Sequence, residues 1–156
     1  MIHQIKKEQF LKAKLEDVWD FASSPINLKK ITPKYMNFTV LSDNLNDKMY
    51  PGMIIFFKVS PLLNIPTTWV TEITHVEKNK YFVDEQRVGP YSIWHHEHIF
   101  KKEKNGVLMI DIISYKIPFG ILGRLLNYLF IKKQINSIFN YRFQKMNEIF
   151  KLQKHF

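Results

Sequence analysis

The chain has 156 residues, 46% hydrophobic and 15% aromatic, which excludes a disordered chain and suits a single domain, residues 1–156, built around one core. It holds no cysteine, so disulfides and thiolate metal sites are excluded. The formal net charge is +9, but the lysines are scattered, as at Lys29-Lys30 and Lys132-Lys133, and no basic run is interleaved with aromatics. The expectation is a solvated basic surface and no nucleic-acid partner.

The first residues carry no apolar signal core, and no uninterrupted apolar stretch is long enough to span a bilayer. The expectation is a cytoplasmic protein. Residues 2–12 read as a first strand. Residues 15–22 read as a short helix with Leu15, Val18, Trp19 and Ala22 on one side. Ser24 as N-cap and Pro25 as first helical residue open a second short helix. It ends near Ile31, because Thr32-Pro33 disfavours continuation. Residues 35–42 read as a strand, 43–52 as a polar loop, and 53–60 as a strand. The apolar loop 61–66 is expected at a pocket mouth. Residues 67–77 form a strand with Trp69, Thr71 and Ile73 on one face.

The segment 81–100 is the most telling. It reads as two strands, the first with Phe82, Asp84, Gln86 and Val88 on one face, the second with Trp94, His96, His98 and Phe100. The aromatics mark these faces as inner, so the interior also holds Asp84, Gln86, His96 and His98. Burying so many polar groups in a dry core is costly unless each is hydrogen-bonded. The simpler reading is a partly wet cavity. A three-residue loop at Gly89-Pro90-Tyr91 pairs Asp84 with His96 and Gln86 with Trp94. Asn105-Gly106 reads as a two-residue hairpin turn that pairs Lys104 with Val107, and so Phe100 with Asp111, His98 with Ile113 and His96 with Tyr115. The inner face of that last strand is Met109, Asp111, Ile113 and Tyr115. The predicted transverse row is Asp84–His96–Tyr115.

From Ile121 to about Leu152 the apolar spacing of three and four predicts one long amphipathic helix, with a bend near its start as one possibility. Residues 119–131 are apolar nearly all round, apart from Arg124 and Asn127. A buried lid over the cavity mouth is the simpler expectation, and transient membrane contact, helped by Lys132 and Lys133, the sharper one.

One strand, two short helices, a run of antiparallel strands and a long C-terminal helix: this order, with its residues, resembles the START-like or SRPBCC (polyketide cyclase, Bet v 1-like) superfamily, in particular a bacterial ligand-binding branch. The resemblance rests on Val18-Trp19-Asp20-Phe21, Ile31-Thr32-Pro33, Trp69-Val70-Thr71-Glu72-Ile73 and Phe82-Val83-Asp84-Glu85-Gln86. It continues through Gly89-Pro90-Tyr91, residues 94–100, Asp111, Tyr115, Pro118-Phe119-Gly120 and Phe139-Asn140-Tyr141-Arg142. It implies an α+β helix-grip fold: a curved antiparallel sheet of about six or seven strands wrapped around the long helix, with a cavity between them. It does not imply one chemistry, because this fold hosts transport, sensing, cyclisation and hydrolysis alike.

The residues expected to line the cavity and bind a ligand are Trp69, Thr71, Asp84, Gln86, Trp94, His96, His98, Asp111, Tyr115 and Arg142. Arg142 lies on the apolar stripe of the long helix, where it either points inward or snorkels to water. His96 and His98 with Asp84 or Asp111 have the makings of a two-histidine, one-carboxylate metal site, but a hydrogen-bonded polar cluster is the preferred reading, with no metal and no cofactor. Asp84, His96 and Tyr115 as orienter, base and phenolic acid would suit a cyclase or dehydratase. The preferred function is the binding of a small hydrophobic ligand, such as a lipid, isoprenoid or polyketide-like molecule. A cyclase or dehydratase is the first alternative, a peripheral membrane or protein-interaction module the second.

Overall fold

Alternation of buried and exposed side chains along each strand decides which side of the sheet faces the interior. In the computed structural model, which describes residues 1–43, 48–61 and 65–152, seven strands form one antiparallel sheet. They are β1 (His3–Leu11), β2 (Thr39–Val40), β3 (Met53–Val59), β4 (Thr67–Glu77), β5 (Tyr81–Val88), β6 (Ile93–Glu103) and β7 (Gly106–Lys116), in the spatial order β1-β7-β6-β5-β4-β3-β2. Helix α1 (Leu15–Ala22) and a 3-10 helix (Pro25–Ile31) follow β1, and the chain then closes with α2 (Gly120–Leu126), a π turn (Asn127–Ile131) and α3 (Lys132–Leu152). The curved sheet and long C-terminal helix are those of the expected helix-grip fold. The π turn lies near the start of the long helix that the apolar spacing predicts, where a bend is one of the expectations.

The core falls into three groups, all of which involve α3. Met146 and Phe150 pack with Trp19, Phe82 and Phe100 at one end of the sheet, where Trp19 meets Phe100 edge-on at 5.4 Å. Ile135 and Phe139 pack with Ile5, Ile113 and Tyr115. Ile138 packs against Met36, Val59 and Trp69. Because α3 is propped at these places, it does not seal against the sheet between them.

Several local expectations are corrected. Only Thr39 and Val40 of residues 35–42 pair as strand; Lys34–Met36 is a 3-10 turn that ends at Asn37, whose left-handed backbone (φ 48°) breaks an extended run. Ser24 precedes the Pro25 helix in extended conformation, but its hydroxyl caps nothing, and the helix is 3-10 rather than α. The expected loops at 43–52 and 61–66 fall partly outside the described residues.

The hairpin register is corrected too. Lys104 and Asn105 make the turn, and Glu103 pairs with Gly106. Neither turn residue has positive φ, so the Asn-Gly pair is not used in the expected way. Gly106 serves β1 instead: a methyl group there would sit 2.1 Å from the Leu11 carbonyl oxygen. The two-residue slip preserves the inner face but changes every partner. His98 now faces Asp111, His96 faces Ile113, and Trp94 faces Tyr115. The other hairpin keeps the expected Asp84–His96 pairing, with Gly89–Ser92 as its connection.

Candidate functional site

Between sheet and α3 lies a cavity with about 140 Å³ of open space. Its walls are mostly apolar and aromatic, among them Phe57, Trp69, Tyr91, Trp94 and Phe139. One stretch of wall is polar, and it is contributed by four elements: Asp84 from β5, His96 and His98 from β6, Asp111 from β7, and Arg142 from α3. Strand periodicity explains the gathering. His96 and His98, two apart on β6, project to the same side, and the antiparallel register sets Asp84 beside one and Asp111 beside the other.

The four strand residues form a closed ring of contacts. His96 Nε2 lies 3.0 Å from Asp111 Oδ1, and its Nδ1 lies 3.4 Å from Asp84 Oδ2. His98 Nε2 lies 2.9 Å from Asp84 Oδ2. His98 Nδ1 is also 2.9 Å from Asp111 Oδ1, without the alignment of a hydrogen bond. The two imidazole centroids are 3.7 Å apart, and Phe82 stacks on the far side of His98 at 4.1 Å. His96, His98 and Asp111 are buried.

Charge in this ring is set by mutual compensation. Burial opposes ionisation of Asp111, but the hydrogen bonds and charge of His96 and His98 override it and hold the carboxyl well below the usual range. Burial likewise opposes ionisation of Asp84, and His96, His98 and Arg142 together override it downward. Burial penalises a charged His98, yet Asp111 and Asp84 outweigh it and push its pKa up to about 9. Burial and the neighbouring His98 depress His96 despite the same carboxylates. At neutral pH the cluster therefore carries two anions, Asp84 and Asp111, and two cations, His98 and Arg142, around a neutral His96.

Eight of the expected residues reach this cavity: Trp69, Thr71, Asp84, Trp94, His96, His98, Asp111 and Arg142. Gln86 and Tyr115 do not. Gln86 clamps the turn: its Nε2 donates to the Tyr91 carbonyl at 2.6 Å, and the Tyr91 N–H donates back to its Oε1 at 3.2 Å. Gly89 leaves room for that clamp, since a methyl there would sit 2.3 Å from the Gln86 amide oxygen. Tyr115 is buried beneath the α2–α3 junction, and its hydroxyl donates to Asn127 Oδ1 at 2.9 Å. The predicted row Asp84–His96–Tyr115 thus becomes Asp84–His96–Ile113, and the row has no phenolic acid. Tyr91 lines the cavity although the sequence places it in the turn between two strands. Its signal is an aromatic in a tight connection, against Trp69 and Trp94 at 5.7 and 4.8 Å.

One ligand atom each from Asp84, His96 and His98 lie within 4.8 Å of one another, as the two-histidine, one-carboxylate reading requires. The donor set fits a metal poorly, however. Each imidazole already contacts both carboxylates, and the Arg142 guanidinium lines the same wall, so a cation would have to displace these contacts beside a like charge.

Residues 119–131 are not a buried lid. Phe119, Ile121, Leu122, Leu125, Tyr128, Leu129 and Phe130 are exposed, while Gly123, Asn127 and Ile131 turn inward. The burial expected from composition fails because the inward side of this stretch is Gly123, Asn127 and Ile131 rather than its leucines, with Asn127 held by Tyr115. No described helix is long and apolar enough to cross a membrane.

No protein-family model and no curated protein sequence matches the chain. Solved structures do. Protein CV1439 from Chromobacterium violaceum is 10% identical with a TM-score of 0.73, over 94% of this chain and 96% of that one. TTHA0849 from Thermus thermophilus is 16% identical with a TM-score of 0.67, over 94% and 95%. Ara h 8.0201, a Bet v 1 allergen, is 9% identical with a TM-score of 0.60, over 94% and 98%. At these identities the likeness establishes the fold: Bet v 1-like, helix-grip, along nearly the whole chain.

Proposed function

We propose that the chain is a carrier or sensor of a small apolar molecule, working as a single domain in the cytoplasm. The observation that carries this reading is the cavity itself, apolar on most sides with one charge-balanced polar wall. Apolar walls supply affinity, at about 25 cal/mol per Å² removed from water, and a few convergent polar groups fix orientation. Its 140 Å³ is close to the roughly 150 Å³ of an apolar cavity that takes benzene. Among lipid, isoprenoid and polyketide-like guests, the site as it stands therefore suits a single ring or a short chain. Native mass spectrometry after gentle purification, with titration of toluene, tests this. The expected result is a retained guest or saturable probe binding; a chain that carries no guest and takes no toluene refutes it.

A cyclase or dehydratase has less support. Tyr115, its candidate acid, is engaged by Asn127, and both imidazoles are engaged by carboxylates.

A second reading, peripheral association with an anionic membrane, rests on a separate observation. The exposed apolar row at 119–130 lies in a stretch, residues 112–147, with no acidic residue and, outside the cavity wall, five cations: Lys116, Arg124, Lys132, Lys133 and Lys145. Phe119 is 74% exposed and sits at φ 70°, a conformation that costs a bulky residue about 1–2 kcal/mol. Its bulk contributes little to the fold there. Phe119→Gly is expected to raise stability by about 1 kcal/mol while weakening co-sedimentation with phosphatidylglycerol vesicles, and Leu125→Glu/Phe130→Glu to abolish co-sedimentation. Wild-type chain that stays in the supernatant at low salt refutes the reading.

A further inference from the structure

Every charged group of the cavity wall except one has a partner. Asp84 contacts both imidazoles through one oxygen, and so does Asp111. Arg142 is different. It lies on α3 between Phe139 and Met146, both buried, so its side chain is directed to the sheet side. Its guanidinium carbon stands 5.2 Å from the centroid of the Phe139 ring. Its Nε is shielded from solvent and has no hydrogen-bond partner, and among the described residues Arg142 forms no ion pair. The Asp84 and Asp111 carboxylates act on it through space, but neither comes within ion-pair distance, and one oxygen of each is taken by the histidines.

A guanidinium is donor-only, with N–H groups in a planar fork. With its Nε shielded and unpaired, the half-buried group carries a desolvation penalty that an acceptor with two oxygens would relieve by bidentate hydrogen bonding. The space beside it is the apolar cavity, with room for one ring or a short chain. On the basis of the carrier reading, we infer that the ligand is a small carboxylic acid, aromatic or short-chain aliphatic, whose carboxylate is taken by Arg142 while its apolar body lies against Trp69, Trp94 and Phe139.

The test is calorimetric titration of the full chain with matched pairs, benzoate against benzamide and octanoate against octanamide, with toluene as a headless probe. At least one carboxylate is expected to bind about tenfold or more tighter than its amide. Arg142→Met, which keeps a long apolar stem, is expected to erase that preference and leave amide and toluene binding within about twofold. Arg142→Lys, which keeps the charge and loses the fork, is expected to retain only part of it. Should Arg142→Met not fold, the acid–amide ratio of the wild-type chain decides alone. If both amides bind as tightly as their acids, or only toluene binds, the carboxylate assignment is wrong and the carrier reading stands. If the acid preference survives in Arg142→Met, Arg142 is not the recognising group. If nothing binds, toluene included, both readings fall.

Discussion

Asp111→Ala is expected to destabilise the protein by about 3–5 kcal/mol, the range for removing one partner of a buried ionic cluster. Asp111 is 2% exposed and touches both imidazoles at 2.9–3.0 Å. Without it, Asp84 alone would face the cations of His98 and Arg142, so His98 would have to lose its proton or remain charged in an apolar wall. The penalty is for stranding those groups, not for the lost attraction, and this makes a second arm informative. Asp111→Leu combined with His98→Phe removes a charge of each sign, and it is expected to cost less than the sum of the two single changes. Urea midpoints at pH 7 measure both. An Asp111→Ala loss below about 0.5 kcal/mol, the size of an ordinary surface change, would mean that Asp111 does not anchor the cluster.

The sequence made the inner faces of the strands legible because strand side chains alternate with period two, and a slip of two residues leaves every face unchanged. That is why Asp84, His96, His98 and Asp111 were expected on one wall and are found there. Partners were less legible for the same reason. The Asn105-Gly106 pair suggested a turn, but Gly106 is required by the close approach of Leu11 on β1, a long-range contact that no local pattern reveals. Gln86 had the right face but the wrong role, because its amide folds along its own strand end to Tyr91. The apolar run at 119–131 pointed to burial on composition alone. Which side of it turns inward was decided by the hydrogen bond between Tyr115 and Asn127, across twelve residues and two elements.

Those placements also explain how this interior combines charge with apolar bulk. The ionic ring occupies the middle of the sheet, while Trp19, Phe82 and Phe100 seal one end and Ile113, Tyr115 and Phe139 fill another. The cost of burying charge falls where the cavity lies, and the polar wall is thereby held rigid by side chains from three strands. A guest would meet a preformed surface, so little ordering would oppose its binding.

Stability is expected to fall as pH rises from about 6.5 to 9. His98 has a folded-state pKa of about 9, above the unfolded value of about 6.5. A raised pKa means that the fold holds the proton more tightly than the unfolded chain does. Its contribution is therefore fully present below pH 6.5 and is lost as pH climbs through 9, about 3 kcal/mol in all. Asp84 and Asp111 are shifted the other way, so their contribution is present above the ordinary carboxylate range and is lost on acidification. His96, depressed in the fold, adds to the acid-side loss, since the unfolded chain takes up a proton that the folded one resists. Overall charge predicts the opposite trend on the alkaline side. A chain of formal charge +9 and pI near 9.6 sheds self-repulsion as pH rises toward its pI, which by itself would stabilise it. The sign of the slope between pH 7 and 9 thus separates the local cluster from the global field. Urea unfolding across that window, with NMR titration of the imidazoles, is expected to show falling stability in the wild-type chain and a flat or rising profile in His98→Gln. A His98 resonance that titrates near pH 6.5 would instead leave the imidazole neutral at physiological pH and remove the cation on which the charge balance of the wall depends.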